Sequence, residues 1–86
     1  MASLDTELNK LTRIVEKYCI KGKEDDALEC VEWARGYADD FPQEEDIAEA
    51  VRLVRKAGRY ITDEGKAQYE EAAEAVIKRL GNLRKS

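Results

Sequence analysis

The chain has 86 residues, 40% of them charged, and its 19 acidic and 15 basic residues give a net charge of −4. A chain this short forms one thin core, which leaves little volume for a deep catalytic cleft. The acidic balance repels nucleic acid and anionic membranes, and no apolar run is long enough to span a bilayer. We therefore expect one soluble domain over residues 1–86, and a cytoplasmic location because the amino terminus lacks the features of a signal peptide.

The first two helices are predicted over residues 4–21 and 24–39, where apolar residues recur at intervals of four and three. Ser3 is a suitable cap for the first helix, and Gly22 a suitable end. Gly36 inside the second helix costs about 1 kcal/mol relative to alanine, which a close helix crossing would explain. The apolar positions are Leu4, Leu8, Leu11, Val15 and Tyr18, then Ala27, Val31, Ala34, Ala38 and Phe41.

The boundary before the third helix is marked by Pro42, because proline is tolerated only in the first turn of a helix. Asp40 and Gln43 have the spacing of a capping box. A third helix is therefore predicted over residues 42–57, with Gly58 at its end. Its apolar positions are Ile47, Val51 and Val54.

The fourth helix is predicted over residues 63–81, with Thr62 as its cap and Gly81 at its end. Each helix has an apolar side that must be covered, and connections this short place successive helices antiparallel. The sequence therefore predicts an all-α, antiparallel up-down-up-down four-helix bundle. The apolar positions of the fourth helix are Tyr69, Ala73, Val76, Leu80 and Leu83.

The composition argues against several kinds of chemistry. With no histidine, the chain lacks the commonest general base and the usual transition-metal ligand. Two cysteines, Cys19 and Cys30, are too few for a zinc site, and the five separated glycines form no phosphate loop. The acidic run over residues 39–46 lacks the order of a calcium-binding loop. We expect no enzymatic activity, no metal, no cofactor, and two reduced cysteines.

A stripe of side chains on the second helix is the leading candidate for a function. Cys30, Trp33 and Tyr37 lie at positions i, i+3 and i+7, and Leu53 flanks the apolar side of the third helix. Two interpretations remain open: these residues complete the core, or they form an exposed patch that binds a partner protein. At 100° per residue, Trp33 lies well away from the centre of the apolar side, while Cys30 and Tyr37 lie nearer to it.

A second candidate is a basic stripe at the end of the third helix. It consists of Arg52, Arg55, Lys56 and Arg59. Such a stripe could bind phosphates or another anionic partner. The alternative, which we favour, is that it complements the helix dipole and faces the acids of the second helix between Glu24 and Glu32.

These patterns together predict a small interaction or scaffold module that contacts another protein or a second copy of itself. The alternative is a nucleic-acid-associated regulator that uses the arginines of the third helix, although the net acidic charge makes nucleic acid the less favoured partner. Regular helical spacing and well-formed caps also fit a designed or redesigned bundle without a natural substrate.

Overall fold

The computed structural model describes residues 4–39 and 42–85, and within them all regular structure is helical. The helix α1 packs against α2 and α4, and α3 packs against the same two helices, so each helix has two neighbours in a closed ring. This arrangement confirms the predicted antiparallel up-down-up-down four-helix bundle. The helices are α1 (Leu4–Tyr18), α2 (Glu24–Asp39), α3 (Glu44–Ala57) and α4 (Lys66–Lys85), with 3-10 turns at Gly58–Tyr60 and Asp63–Gly65.

The core is built mainly from the predicted apolar sides, but the predicted position Val51 is only partly buried, while Leu53, predicted to flank the apolar side of the third helix, is fully buried. Its largest fully buried side chains are Leu8, Leu11, Leu53, Leu80, Val15, Val31, Val54 and Val76. Leu83 is an exception, with 37% of its surface exposed, because α4 has 20 residues against 15 in α1 and its last turns extend past their neighbour. Phe41, another predicted apolar position, lies outside the described residues.

The predicted end of the first helix is wrong by three residues. The helix α1 ends at Tyr18, and the backbone at Cys19 and Ile20 leaves the helical path. Gly22 does adopt the left-handed conformation expected of it, with φ of +90°, but it does so in the turn that leads into α2. There its N–H donates a hydrogen bond of 2.8 Å to the carboxylate of Glu24.

The connections α1–α2 and α3–α4 meet at one end of the bundle, and their backbones hydrogen-bond to each other. Cys19 forms an isolated antiparallel bridge with Ile61. The N–H of Ile20 donates to the carbonyl of Tyr60 at 2.7 Å, and the N–H of Thr62 donates to that of Tyr18 at 2.9 Å. We call this pairing of residues 18–20 with 60–62 the clamp. Because it satisfies backbone groups that α1 would otherwise use, it accounts for the early end of that helix.

The start of α3 differs from the prediction by two residues. Pro42 precedes the helix, which begins at Glu44 with Gln43 as its cap. The N–H of Gln43 donates a 3.0 Å hydrogen bond to Oδ2 of Asp46, which is half of a capping box. The predicted caps Ser3 and Asp40 lie outside the described residues.

The bounds of α4 are also corrected. Thr62 is the cap of the 3-10 turn Asp63–Gly65, so α4 begins only at Lys66. Gly81 does not end the helix, which continues to Lys85, since glycine in a helix interior is only mildly unfavourable. Gly58 does cap α3 as predicted. None of the described helices combines the length and the apolar character needed to cross a membrane.

Candidate partner-binding surface

Two aromatic side chains of α2 lie at the surface. Trp33 is 56% exposed and Tyr37 is 40% exposed, although the apolar residues on the inner side of the same helix are buried. With Gly36 between them, they line a shallow groove of about 530 Å³. Its other lining residues are Glu32 of α2 and Asp46 in the first turn of α3. We call this the Trp33 groove.

The structure divides the predicted aromatic stripe into two parts. Cys30 and Leu53 are only 6% and 2% exposed, so they complete the core and are not available as surface contacts. Trp33 and Tyr37 are the exposed part. The two parts meet where Trp33, Cys30 and Leu53 line a second, smaller cavity of about 130 Å³. The core interpretation is therefore correct for Cys30 and Leu53, whereas Trp33 and Tyr37 are exposed and their binding of a partner stays a prediction.

The thiol of Cys30 has low reactivity at this position. Burial raises the pKa of its thiol, and the nearby cations Lys56 and Arg52 oppose that rise only in part. A thiol whose pKa is raised stays neutral at physiological pH, and the neutral form is a poor nucleophile. The pKa of Cys19 is raised as well, first by burial and then by the charge of Glu24.

Gly36 does not mark a close helix crossing, so that explanation for it is wrong. A Cβ atom placed on Gly36 would meet nothing within 4 Å. The glycine is exposed on the outer side of α2, beside the Trp33 groove. Packing within the described residues therefore does not offset the free-energy cost of having glycine inside this helix.

The basic stripe runs from α3 into the 3-10 turn Gly58–Tyr60, which contains Arg59, and it faces two different sides. Arg52 and Lys56 line the smaller cavity together with Asp26 and Glu29 of α2. The Nε atom of Arg52 also lies 3.1 Å from each carboxylate oxygen of Glu49. That pairing lowers the pKa of Glu49 and raises that of Arg52, in each case mainly through the hydrogen bond. This half of the stripe therefore lies among carboxylates.

The other half of the stripe lines a groove between α3 and α4. Arg55 and Arg59 lie there with Lys66, close to the carboxylates of Glu70 and Glu74. The four cations predicted as one anion-binding surface are thus divided between two grooves, and each groove also contains acids. The carboxylates in both grooves oppose the approach of a phosphate backbone.

The sequence reasoning missed Glu32, Gly36 and Asp46 as lining residues of the Trp33 groove. Gly36 lies three residues after Trp33 and four residues after Glu32, so helical spacing could have indicated that these residues are neighbours on α2. Asp46 belongs to another helix, and only the pairing of α2 with α3 brings it to the groove.

The described residues contain no group of three or more histidine, cysteine, aspartate or glutamate side chains arranged to hold a metal ion. The hydroxyl of the buried Tyr69 donates a hydrogen bond to the carbonyl of Val54, which gives it a structural partner inside the core. Comparisons with family models, curated proteins and solved structures gave no match to this chain.

Proposed function

We propose that this domain is a non-enzymatic interaction module that binds another protein through the Trp33 groove. The observation that supports the proposal is the exposure of the chain's one tryptophan: Trp33 is 56% exposed, and Tyr37 lies one turn further along the same helix. Large aromatic side chains provide much of the binding energy at protein interfaces. On an isolated domain they leave apolar surface in water.

The contribution of Trp33 to folding should be modest, because less than half of its surface is buried. Replacing a fully buried tryptophan by alanine costs about 3 to 5 kcal/mol, so the partial burial here scales to about 1 to 2 kcal/mol. Truncating an aromatic anchor at an interface costs about 2 kcal/mol or more of binding free energy, which is roughly a 30-fold loss of affinity. Trp33→Ala should therefore weaken binding more than folding.

A buried residue provides the matched comparison for folding. Leu11 is fully buried, so Leu11→Ala should lower the free energy of unfolding by about 2 to 5 kcal/mol. Urea denaturation of both variants tests the difference. A Trp33→Ala variant destabilised as strongly as Leu11→Ala would mean that Trp33 serves the core, and the proposal would lose its main support.

Photocrosslinking tests the contact itself. When Tyr37 is replaced by the photoreactive residue benzoylphenylalanine, the protein should give discrete crosslinked products in cell lysate. Adding the substitution Trp33→Ala should remove those products. The control is the same group at Glu16, an exposed position of α1. Products that are identical at both positions, or that persist in Trp33→Ala, would contradict the proposal. The same reaction on the purified protein tests whether a second copy is the partner.

A further inference from the structure

We infer that the occupant of the Trp33 groove is a basic amphipathic helix of a partner protein. This inference rests on the proposed function and specifies the chemistry of the partner. The partner helix inserts one apolar side chain between Trp33 and Tyr37, and its lysine or arginine residues lie against Glu32 and Asp46.

The charge of the groove is the first argument for a basic partner. Its charged lining residues, Glu32 and Asp46, are both acidic. The last turn of α2, which holds Tyr37, contains no basic residue, and Arg35 is the one basic side chain of the helix. Complementary charge at an interface favours correct encounter and excludes partners of like charge.

The ion pair of Glu32 cancels only part of this charge. Arg35 donates a hydrogen bond to Glu32, but its Nε also lies 3.6 Å from the carboxylate of Asp5, and its Nη2 donates to Asn9 at 2.8 Å. One guanidinium is thus shared between two carboxylates, and it is directed towards α1. Asp46 accepts a hydrogen bond from the N–H of Gln43, a neutral donor that leaves the carboxylate charge in place.

The shape of the groove favours a helix as the occupant. The groove lies between α2 and the first turn of α3, and it runs along one turn of α2, about 6 Å from Trp33 to Tyr37. Gly36 presents no side chain there, and the space above it is open. An amphipathic helix uses such grooves by inserting an anchor residue on its apolar side. A guanidinium or ammonium beside that anchor could also lie over the Trp33 ring.

A second copy of this chain fits the groove less well. In a symmetric dimer the same patch lies on both sides of the interface, so the carboxylates of Glu32 and Asp46 would be brought close to those of the second copy. Each chain also carries a net charge of −4, which opposes the approach of two acidic faces. The charge pattern therefore favours a partner of opposite sign.

Fluorescence of Trp33 provides a direct readout, because it is the one tryptophan of the chain. The probe is a synthetic peptide of leucine and lysine arranged with helical spacing. Its controls are a scrambled peptide of the same composition and a peptide in which glutamate replaces every lysine. The amphipathic basic peptide should shift the emission of Trp33 to shorter wavelength and saturate. Both controls should bind at least 10-fold more weakly.

Variants of the protein distinguish binding in the Trp33 groove from general attraction between the acidic protein and the basic peptide. The pair Glu32→Gln with Asp46→Asn should weaken binding of the basic peptide at least 10-fold. The control pair, Glu70→Gln with Glu71→Gln, removes the same number of charges from exposed positions of α4 and should change affinity less than 2-fold. Gly36→Gln, which places a neutral side chain in the groove, should weaken binding at least 10-fold.

The contrary outcomes distinguish this inference from the proposed function. Equal binding of the scrambled peptide, equal effects of the two charge pairs, or no binding of the basic peptide would each overturn the inference. Trp33-dependent crosslinks in the lysate would still support the proposed function in those cases. A Trp33-dependent dimer in sedimentation equilibrium would show that a second copy is the occupant. Absence of both peptide binding and Trp33-dependent crosslinks would reject both.

Discussion

Replacing Gly36 by alanine should stabilise the domain, although the substitution lies beside the proposed binding site. A Cβ atom at this position meets nothing within 4 Å, and Gly22 is the one described glycine with a positive φ. Alanine at an exposed helix interior is better than glycine by about 0.5 to 1 kcal/mol, since it reduces the entropy of the unfolded chain. For a domain of this size that gain raises the melting temperature by about 2 to 8 °C.

Gly81 provides the matched control for this substitution. It also lies inside a helix, and a Cβ atom there also meets nothing within 4 Å. Gly81→Ala should therefore raise the melting temperature by a similar amount. Thermal unfolding followed by far-ultraviolet circular dichroism measures both effects. A lower melting temperature for Gly36→Ala, with Gly81→Ala stabilised, would refute the reasoning, because it would mean that Gly36 serves a close contact or a special backbone conformation.

Three further predictions concern other parts of the molecule. Gly65→Ala should lower the free energy of unfolding in urea by about 1 to 3 kcal/mol, since the new Cβ atom would lie 2.3 Å from Cβ of Tyr18. A midpoint unchanged from that of the parent chain would contradict this. Burial raises the pKa values of Cys30 and Tyr69 from their ordinary 9.0 and 10.0. As the pH rises, these two groups therefore lose their protons in the unfolded chain before they do so in the folded chain. The free energy of unfolding should consequently fall as the pH rises above their ordinary pKa values. Tyr69→Phe should make the fall above pH 10 shallower, and an unchanged slope would count against burial of the phenol as its cause. Fluorescence anisotropy should show only weak DNA binding that is lost at moderate salt. Sequence-specific DNA binding at physiological salt that is abolished by Arg55→Glu would instead support the nucleic-acid-associated alternative.

The fold could be predicted because apolar spacing reports directly on which side of a helix is buried. The spacing of Leu8, Leu11 and Val15 predicts that they belong to the core, and all three are nearly inaccessible to solvent. The end of α1 could not be predicted locally, because the hydrogen bond from Ile20 to Tyr60 joins residues that are far apart in the sequence. Local caps carry no information about such pairing.

The candidate site was predictable only in part, and the reason is similar. The angular position of Trp33 at the margin of the apolar side agrees with its 56% exposure. The same calculation placed Cys30 and Tyr37 together nearer the core, yet one is buried and the other 40% exposed. Their difference depends on the neighbouring helix: Leu53 of α3 lies beside Cys30, whereas Tyr37 borders an open groove. The sequence of one helix does not show which of its side chains a neighbouring helix will cover.

The clamp has a consequence for the slow motions of the bundle. The amides of Ile20 and Thr62 lie outside every α-helix, yet each is held by a backbone hydrogen bond across the two connections. Among the described residues no comparable pair joins the opposite end, towards which Tyr37 and Asp46 lie. In hydrogen–deuterium exchange, the clamped amides should therefore exchange only with global opening, while the amides in the last turn of α2 and the first turn of α3 exchange through local fraying. The domain would then open locally at the end that carries the groove, while the end that carries the clamp would stay protected from exchange.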